Sequence, residues 1–260
     1  MKYCLKLRQD SQYLAKADEI KAEYRDHKAF PDIVEKYPDK TLICQIYANQ
    51  EDIDWESLKL TNKMALGRFI CCVGSYDQMK QCKEFGIKFY YGFPITTFQD
   101  LRTLKEIGVC YVRLGAPLFF SLDDVKAIGV PVRAVPNLAY LSDLPYGDGV
   151  CGTWIRPEDM EAYEPYVEAV EFEGCNTEQE RALYRIYAEQ HEWPGFLDTL
   201  LTNFNKSKVS NSLIHPDFTK FRLNCGQRCM RNGSCSLCHR WMSLANREKL
   251  EKYQAALVEN

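Results

Sequence analysis

The sequence carries little excess of either charge, and that absence removes two broad classes of partner. Its 33 Lys and Arg stand against 36 Asp and Glu, a formal net charge of −3. No global field therefore draws the chain to nucleic acid or to an anionic membrane. Long apolar runs are missing as well, and none approaches the ~20 residues that a bilayer requires. The opening MKYCLKLRQDSQY turns polar too early for a secretion signal, so the expected location is the cytoplasm. Histidine is scarce. The four present are His27, His191, His215 and His239, and no serine or cysteine is placed by sequence to build a triad with any of them. There is no Walker glycine–lysine loop, no dinucleotide glycine fingerprint, no HExxH and no calcium loop. GDGVCG (147–152) has the glycines but lacks the strand-to-helix setting.

What remains is an ordinary globular composition, 46% hydrophobic and 27% charged, with a repeat in the middle of the chain. SYDQMKQCKEFGIKFYYG (75–92) is followed by TFQDLRTLKEIGVCYVRLG (97–115), SLDDVKAIGVPVRAVPN (121–137) and RPEDMEAYEPYVEAVEFEG (156–174). Ser75, Thr97 and Ser121 are good helix N-caps, and Asp100 and Asp124 follow three positions later, where a carboxylate favours the helix start. Gly86, Gly108 and Gly129 stop the helical part of the first three copies. Each stop leads into a β-rich run.

Extended outward, the pattern gives eight candidate strands: YCLKL (3–7), LICQI (42–46), RFICCV (68–73), IKFYY (87–91), VCYVRL (109–114), VPVRAV (130–135), VEAVEF (167–172) and FLDTLL (196–201). SQYLAKADEIKAEYRDH (11–27) reads as a helix after the first of them. Alternating strands and helices predict a parallel α/β architecture, a TIM-like β/α barrel ahead of an open doubly wound sheet. The organisation expected is a barrel body over 1–202, a cysteine-rich module over 203–240 packed on the barrel, and a C-terminal helix over 241–260 with Leu250, Tyr253 and Leu257 at helical spacing.

Parallel β/α folds place ligands at the carboxyl ends of their strands. That rule selects Arg113 and Arg133, at related offsets in successive units, as clamps for an anionic group. It also selects Glu171 and Glu173, two apart on one strand and so on one face, as an acid–base pair. Alternate polar residues can equally cap a barrel layer through salt bridges, so both readings stand here.

Cysteine is the surplus residue, with twelve in the chain. Eight are scattered, several inside apolar runs where a reduced thiol acts as a small hydrophobe. The other four, Cys225, Cys229, Cys235 and Cys238, crowd into NCGQRCMRNGSCSLCHR (224–240). Thiolates so close repel unless a cation neutralises them, and the pattern predicts one metal centre. Zinc ranks ahead of a [4Fe-4S] cubane, because CxxC is typical of structural zinc sites, although the first pair is spaced by an extra residue. Cys175 is a reserve ligand. Arg228, Arg231 and Arg240 sit among these thiols. They are candidates both for balancing the charge and for contacting nucleic acid.

Helix–strand units ending in VEAVEFEG, followed by a compact Arg- and Cys-rich module, resemble the U32 peptidase-like family. The resemblance implies a β/α barrel and an iron–sulfur cluster on four cysteines. It also implies a reaction of the RNA-base or quinone-ring hydroxylation type, with VEFEG beside the active mouth. This chain departs from the family, whose cysteines are more dispersed and whose signature after Gly174 is replaced by CNTEQERA. Two functions are therefore carried forward. One is a metal-containing barrel enzyme modifying a nucleobase or small ring compound. The other is an accessory protein with a structural zinc and a basic surface for nucleic acid or another protein.

Overall fold

The computed structural model describes residues 1–142, 149–195, 200–201, 211, 214 and 217–223. Within them the chain runs β1 (Lys2–Lys6), α1 (Ser11–Lys16), β2 (Glu19–Glu23), a 3-10 turn (Tyr24–Ala29), α2 (Phe30–Lys36), β3 (Thr41–Ile46), α3 (Trp55–Met64) and β4 (Phe69–Val73). It continues through α4 (Tyr76–Glu84), β5 (Lys88–Tyr91), α5 (Phe98–Ile107), β6 (Val112–Arg113), α6 (Ala116–Phe119), α7 (Leu122–Ile128) and β7 (Val132–Ala134). The remainder is a hairpin of β8 (Ala139–Ser142) and β9 (Gly149–Gly152), then α8 (Met160–Tyr163), β10 (Val167–Glu171), α9 (Thr177–Tyr184) and α10 (Phe218–Leu223).

Eight of these strands form one parallel sheet in the order β5-β4-β3-β2-β1-β10-β7-β6. The two ends of that order meet. Cys110 donates its amide to Phe89 O at 2.9 Å, and Ile95 bridges Leu114 in parallel. Around the circle the strands therefore follow chain order, which makes a nearly closed TIM-like β/α barrel. The antiparallel pair β8–β9 stands apart as an excursion between β7 and α8.

The sequence pattern produces these elements locally. Ser75 and Thr97 accept the amides of Gln78 and Asp100 at 3.3 and 3.1 Å, capping α4 and α5. Gly86, Gly108 and Gly129 have φ of +66°, +93° and +78°, the left-handed turn that ends a helix at little cost only for glycine. Side chains alternate along each strand. One set, including Leu5, Ile20, Leu42, Cys44, Cys71, Val73 and Val170, packs outward under the helices. The alternate set, Cys4, Ile43, Ile70, Cys72, Tyr90, Tyr111 and Ala169, fills the barrel.

One expectation needs correction. The helix read over 11–27 is only six residues long, and Glu19–Glu23 is a strand that fills a place in the circle. Its charged residues face the barrel interior, where they are ion-paired, so it carries no apolar signature. The strand read over 196–201 falls mostly outside the described residues, of which only Leu200 and Leu201 belong to it, and neither is in a strand; the eight-stranded circle among the described residues is made by other segments. The residues Cys225, Cys229, Cys235, Cys238, Arg228, Arg231 and Arg240, and the helix read over 241–260, also lie outside the described residues.

The last described helix, α10, packs against the body of the barrel. The Arg222 guanidinium of α10 lies 4.7 Å from the Trp154 ring and 5.1 Å from that of Phe120. It also donates to Trp154 O. Phe218 stacks on Trp154 with ring centroids 5.5 Å apart. Phe120 follows β6 and Trp154 follows β7, so α10 packs on loops at the carboxyl ends of the strands.

Candidate active site

Because every barrel strand is parallel, the carboxyl ends share one rim, and a cavity of about 470 Å³ opens there. Its floor is charged. On β1 and β2, Lys6 is the register partner of Lys21, and on the other flank Glu171 is the partner of Cys4. Lys21 Nζ lies 3.1 Å from Glu171 Oε2. Arg113, at the end of β6, places Nε 3.4 Å from Glu171 Oε1 and Nη2 2.6 Å from Glu173 Oε2. Its Nη1 donates to Gly92 O. Gly92 also lies close to β4: a Cβ there would stand 3.0 Å from Cys72 Sγ and 3.3 Å from Val73 O.

Arg133 lies a layer deeper. Its Nη2 binds Glu19 Oε2 at 2.6 Å, its Nη1 stays 3.9 Å from Glu171, and its guanidinium sits 5.0 Å and 4.6 Å from the ring centroids of Tyr90 and Tyr111. Arg133 does not line the mouth cavity. The structure thus brings Arg113, Glu171 and Glu173 together and sets Arg133 beneath them as part of the barrel filling. Arg113 itself has each arm of its guanidinium committed within the protein, which leaves it no free fork for an anionic ligand.

The two glutamates differ in kind. Burial pushes the Glu171 carboxyl up, but Lys21, Arg113 and Arg133 outweigh that and hold it at about 2. It is therefore a fixed anion at neutral pH and no proton shuttle. Burial alone would lower Lys21, yet the charge of Glu171 raises it above its ordinary value, so Lys21 stays an ammonium. Burial likewise raises the thiol of Cys72 and the phenol of Tyr90, which keeps both neutral. Glu173 is different because its side chain is 33% exposed and lines the cavity. Asn137, fully buried, holds its backbone from both sides, donating to Glu173 O at 2.8 Å and accepting from Glu173 N at 3.2 Å.

Above the floor the walls turn apolar. Phe172 and Leu138 are buried, while Tyr47 and Phe93 stand 51% exposed at the rim. Tyr91 packs between Phe93 and Tyr76, with centroids 5.5 and 6.1 Å away. The arrangement suits a small molecule with a flat or apolar body and polar groups directed at the floor.

Comparisons with known proteins add no family. No family model matches the chain, and no curated protein matches its sequence. Among solved structures it is similar to 3-keto-L-gulonate-6-phosphate decarboxylase from Vibrio cholerae O1 biovar El Tor str. N16961. That match has 13% identity and a TM-score of 0.43, and it covers 77% of this chain and 97% of that one. It is also similar to 3-hexulose-6-phosphate synthase from Salmonella typhimurium, at 14% identity and a TM-score of 0.43, over 74% and 100% of the two chains. At that distance neither activity transfers. The barrel rests on its own strand order.

Sequence reasoning missed Lys21 and Lys6. Lys21 fell inside the segment read as helix, and only its alternation with Ile20 and Ala22 could have revealed it. Among the described residues no group of three or more His, Cys, Asp or Glu could hold a metal ion, and no helix is long and apolar enough to cross a membrane. His27 stacks on Tyr24 at 4.7 Å, and His191 is an exposed helix end with φ +56°.

Proposed function

We propose that this chain is a β/α-barrel enzyme acting on a small molecule bound in the rim cavity, with Glu173 as the carboxylate that handles a proton. The observation that carries the reading is the division of labour between the two glutamates. Glu171 is locked as an anion by three cations and fixes Lys21 and Arg113. Glu173 leans into the cavity on a backbone clamped by Asn137. A carboxylate held in place beside a ligand can accept or return a proton without reorganising. The aromatic rim favours a ring compound, a nucleobase or another small ring, as the body of the substrate.

We further propose that Cys225, Cys229, Cys235 and Cys238 hold one metal centre, zinc ahead of a cubane cluster. The support is the density of four thiols together with the path of the chain. α10 ends at Leu223 on the carboxyl rim, two residues before Cys225. When bound, such a centre would supply either structural closure or electron transfer.

The test uses the full chain, purified without oxygen, in a pool of cellular metabolites followed by mass spectrometry. Wild-type protein should deplete a small ring compound, and Glu173→Gln should lose that turnover while unfolding at the same temperature. Equal turnover by the Glu173→Gln protein would remove Glu173 from the chemistry. No depletion by wild type carrying its native metal would favour the accessory-protein reading, in which Arg228, Arg231 and Arg240 meet nucleic acid or a protein. Elemental analysis with a visible spectrum separates zinc, which is colourless, from a brown four-iron cluster. A protein with neither would overturn the metal proposal.

A further inference from the structure

The charges that line the mouth can be accounted for one by one, and two of opposite sign are left over. Lys21 is committed to Glu171, and Arg113 to Glu171, Glu173 and Gly92 O. Arg8 binds Glu23 at 3.0 Å, and Glu23 is also held by Arg25 at 2.9 Å. Lys6 and Asp26 also line the cavity, and neither side chain has an ion pair or hydrogen bond among the described residues. Both are half-buried. Lys6 feels the buried Glu180 carboxylate only at longer range, so neither charge is neutralised by a contact partner and each gains from a ligand group of opposite sign.

These two residues share one sector of the rim. Lys6 ends β1, and Asp26 lies in the turn directly after β2, the strand paired with β1. They are not ion-paired to each other. A ligand that meets both carries an anionic group and a cationic group on one skeleton. The exposed rings of Tyr47, just after β3 beside that sector, and of Phe93, after β5 further round the barrel, line the same cavity.

We infer that the cavity selects a zwitterion of the α-amino-acid type, with its carboxylate on Lys6, its ammonium on Asp26 and an aromatic body against Tyr47 and Phe93. A simple anion would leave Asp26 facing the ligand's negative group, and a simple cation would face Lys6 in the same way. Like charges so placed oppose binding, and this is how the site discriminates. The inference rests on the rim cavity being the ligand site, and it adds the chemical class of the ligand.

Isothermal titration calorimetry on the full chain tests it with L-phenylalanine, L-tyrosine and L-tryptophan. Two further probes, 3-phenylpropionate and phenethylamine, each lack one of the two charges. At least one amino acid should bind, at least about tenfold more tightly than either single-charge probe. Lys6→Met and Asp26→Asn should each weaken it by about tenfold, with unfolding temperatures unchanged. Binding of 3-phenylpropionate equal to that of the amino acid, or of any amino acid to both variants as tightly as to wild type, would overturn the inference. So would no amino acid binding at all. In each of those cases the rim cavity stands or falls separately, on whether Glu173→Gln abolishes metabolite turnover.

Discussion

The two faces of the same barrel strands follow opposite rules. On β2, Ile20 and Ala22 face the helices in a layer of aliphatic and thiol side chains, while Glu19 and Lys21 face inward. The outer face is held by dispersion and burial, which have no direction and tolerate small shifts. The inner face is held by charges that must meet specific partners from strands far apart in sequence: Glu19 with Arg133, Lys21 with Glu171, Arg113 with Glu173. Outward contacts make the fold cohesive, and inward contacts decide how the barrel is filled and what its mouth presents.

Removing one inner partner gives the largest expected effect. Arg133→Met leaves Glu19 buried without its counter-ion and should cost about 3–5 kcal/mol, read as a lower denaturant midpoint. Adding Glu19→Met should restore most of the loss, because the pair is then replaced by apolar volume. A double variant no more stable than the single one would mean that the inner charges do not act as pairs.

Acid sharpens the contrast with a smaller effect. Glu171 is held down at about 2 in the folded chain, against an ordinary 4.5, so it binds its proton more weakly folded than unfolded. Its contribution is therefore present above pH ~4.5 and is lost as pH falls from there toward about 2. Denaturation midpoints measured across that window should fall for the wild type, and less steeply for Glu171→Gln. Identical slopes would show that Glu171 is not specially held.

The smallest effect belongs to the outer layer. Thr97→Ala removes the cap on the Asp100 amide and should cost about 1 kcal/mol in thermal or chemical unfolding, with the cavity unchanged. A loss as large as that of Arg133→Met would erase the distinction between the faces.

This contrast also explains what was legible in the sequence. Strands that bury both faces in apolar or thiol side chains, such as Phe69–Val73, stand out as continuous runs. Glu19–Glu23 does not, because the partners that make Glu19 and Lys21 tolerable lie more than a hundred residues away, and no local pattern announces them. The hairpin of β8 and β9 hid in NLAYLSDLPYGDGVCGTW, where turn residues outweigh the short strands. Arg113, Glu171 and Glu173 were legible as residues at strand ends. Their division into a locked anion and a reachable carboxylate was not, since it depends on how many cations surround each one. Lys6 and Asp26 stand out only after every other charge has been paired.

The pairing of β1 with β10 has a consequence for the chain as it is made. Lys2–Lys6 finds one of its two neighbours only when Val167–Glu171 has left the ribosome. Until then the growing sheet has an open edge and an unclosed concave surface, the state in which nascent β-structure sticks to its neighbours. That concave surface carries Lys2, Glu19 and Lys21. Hydrated, these groups interrupt the apolar inner set of Ile43, Ile70 and Ala169 with charge. The charges that lock the finished barrel thus also break up its apolar concave face while it waits to close.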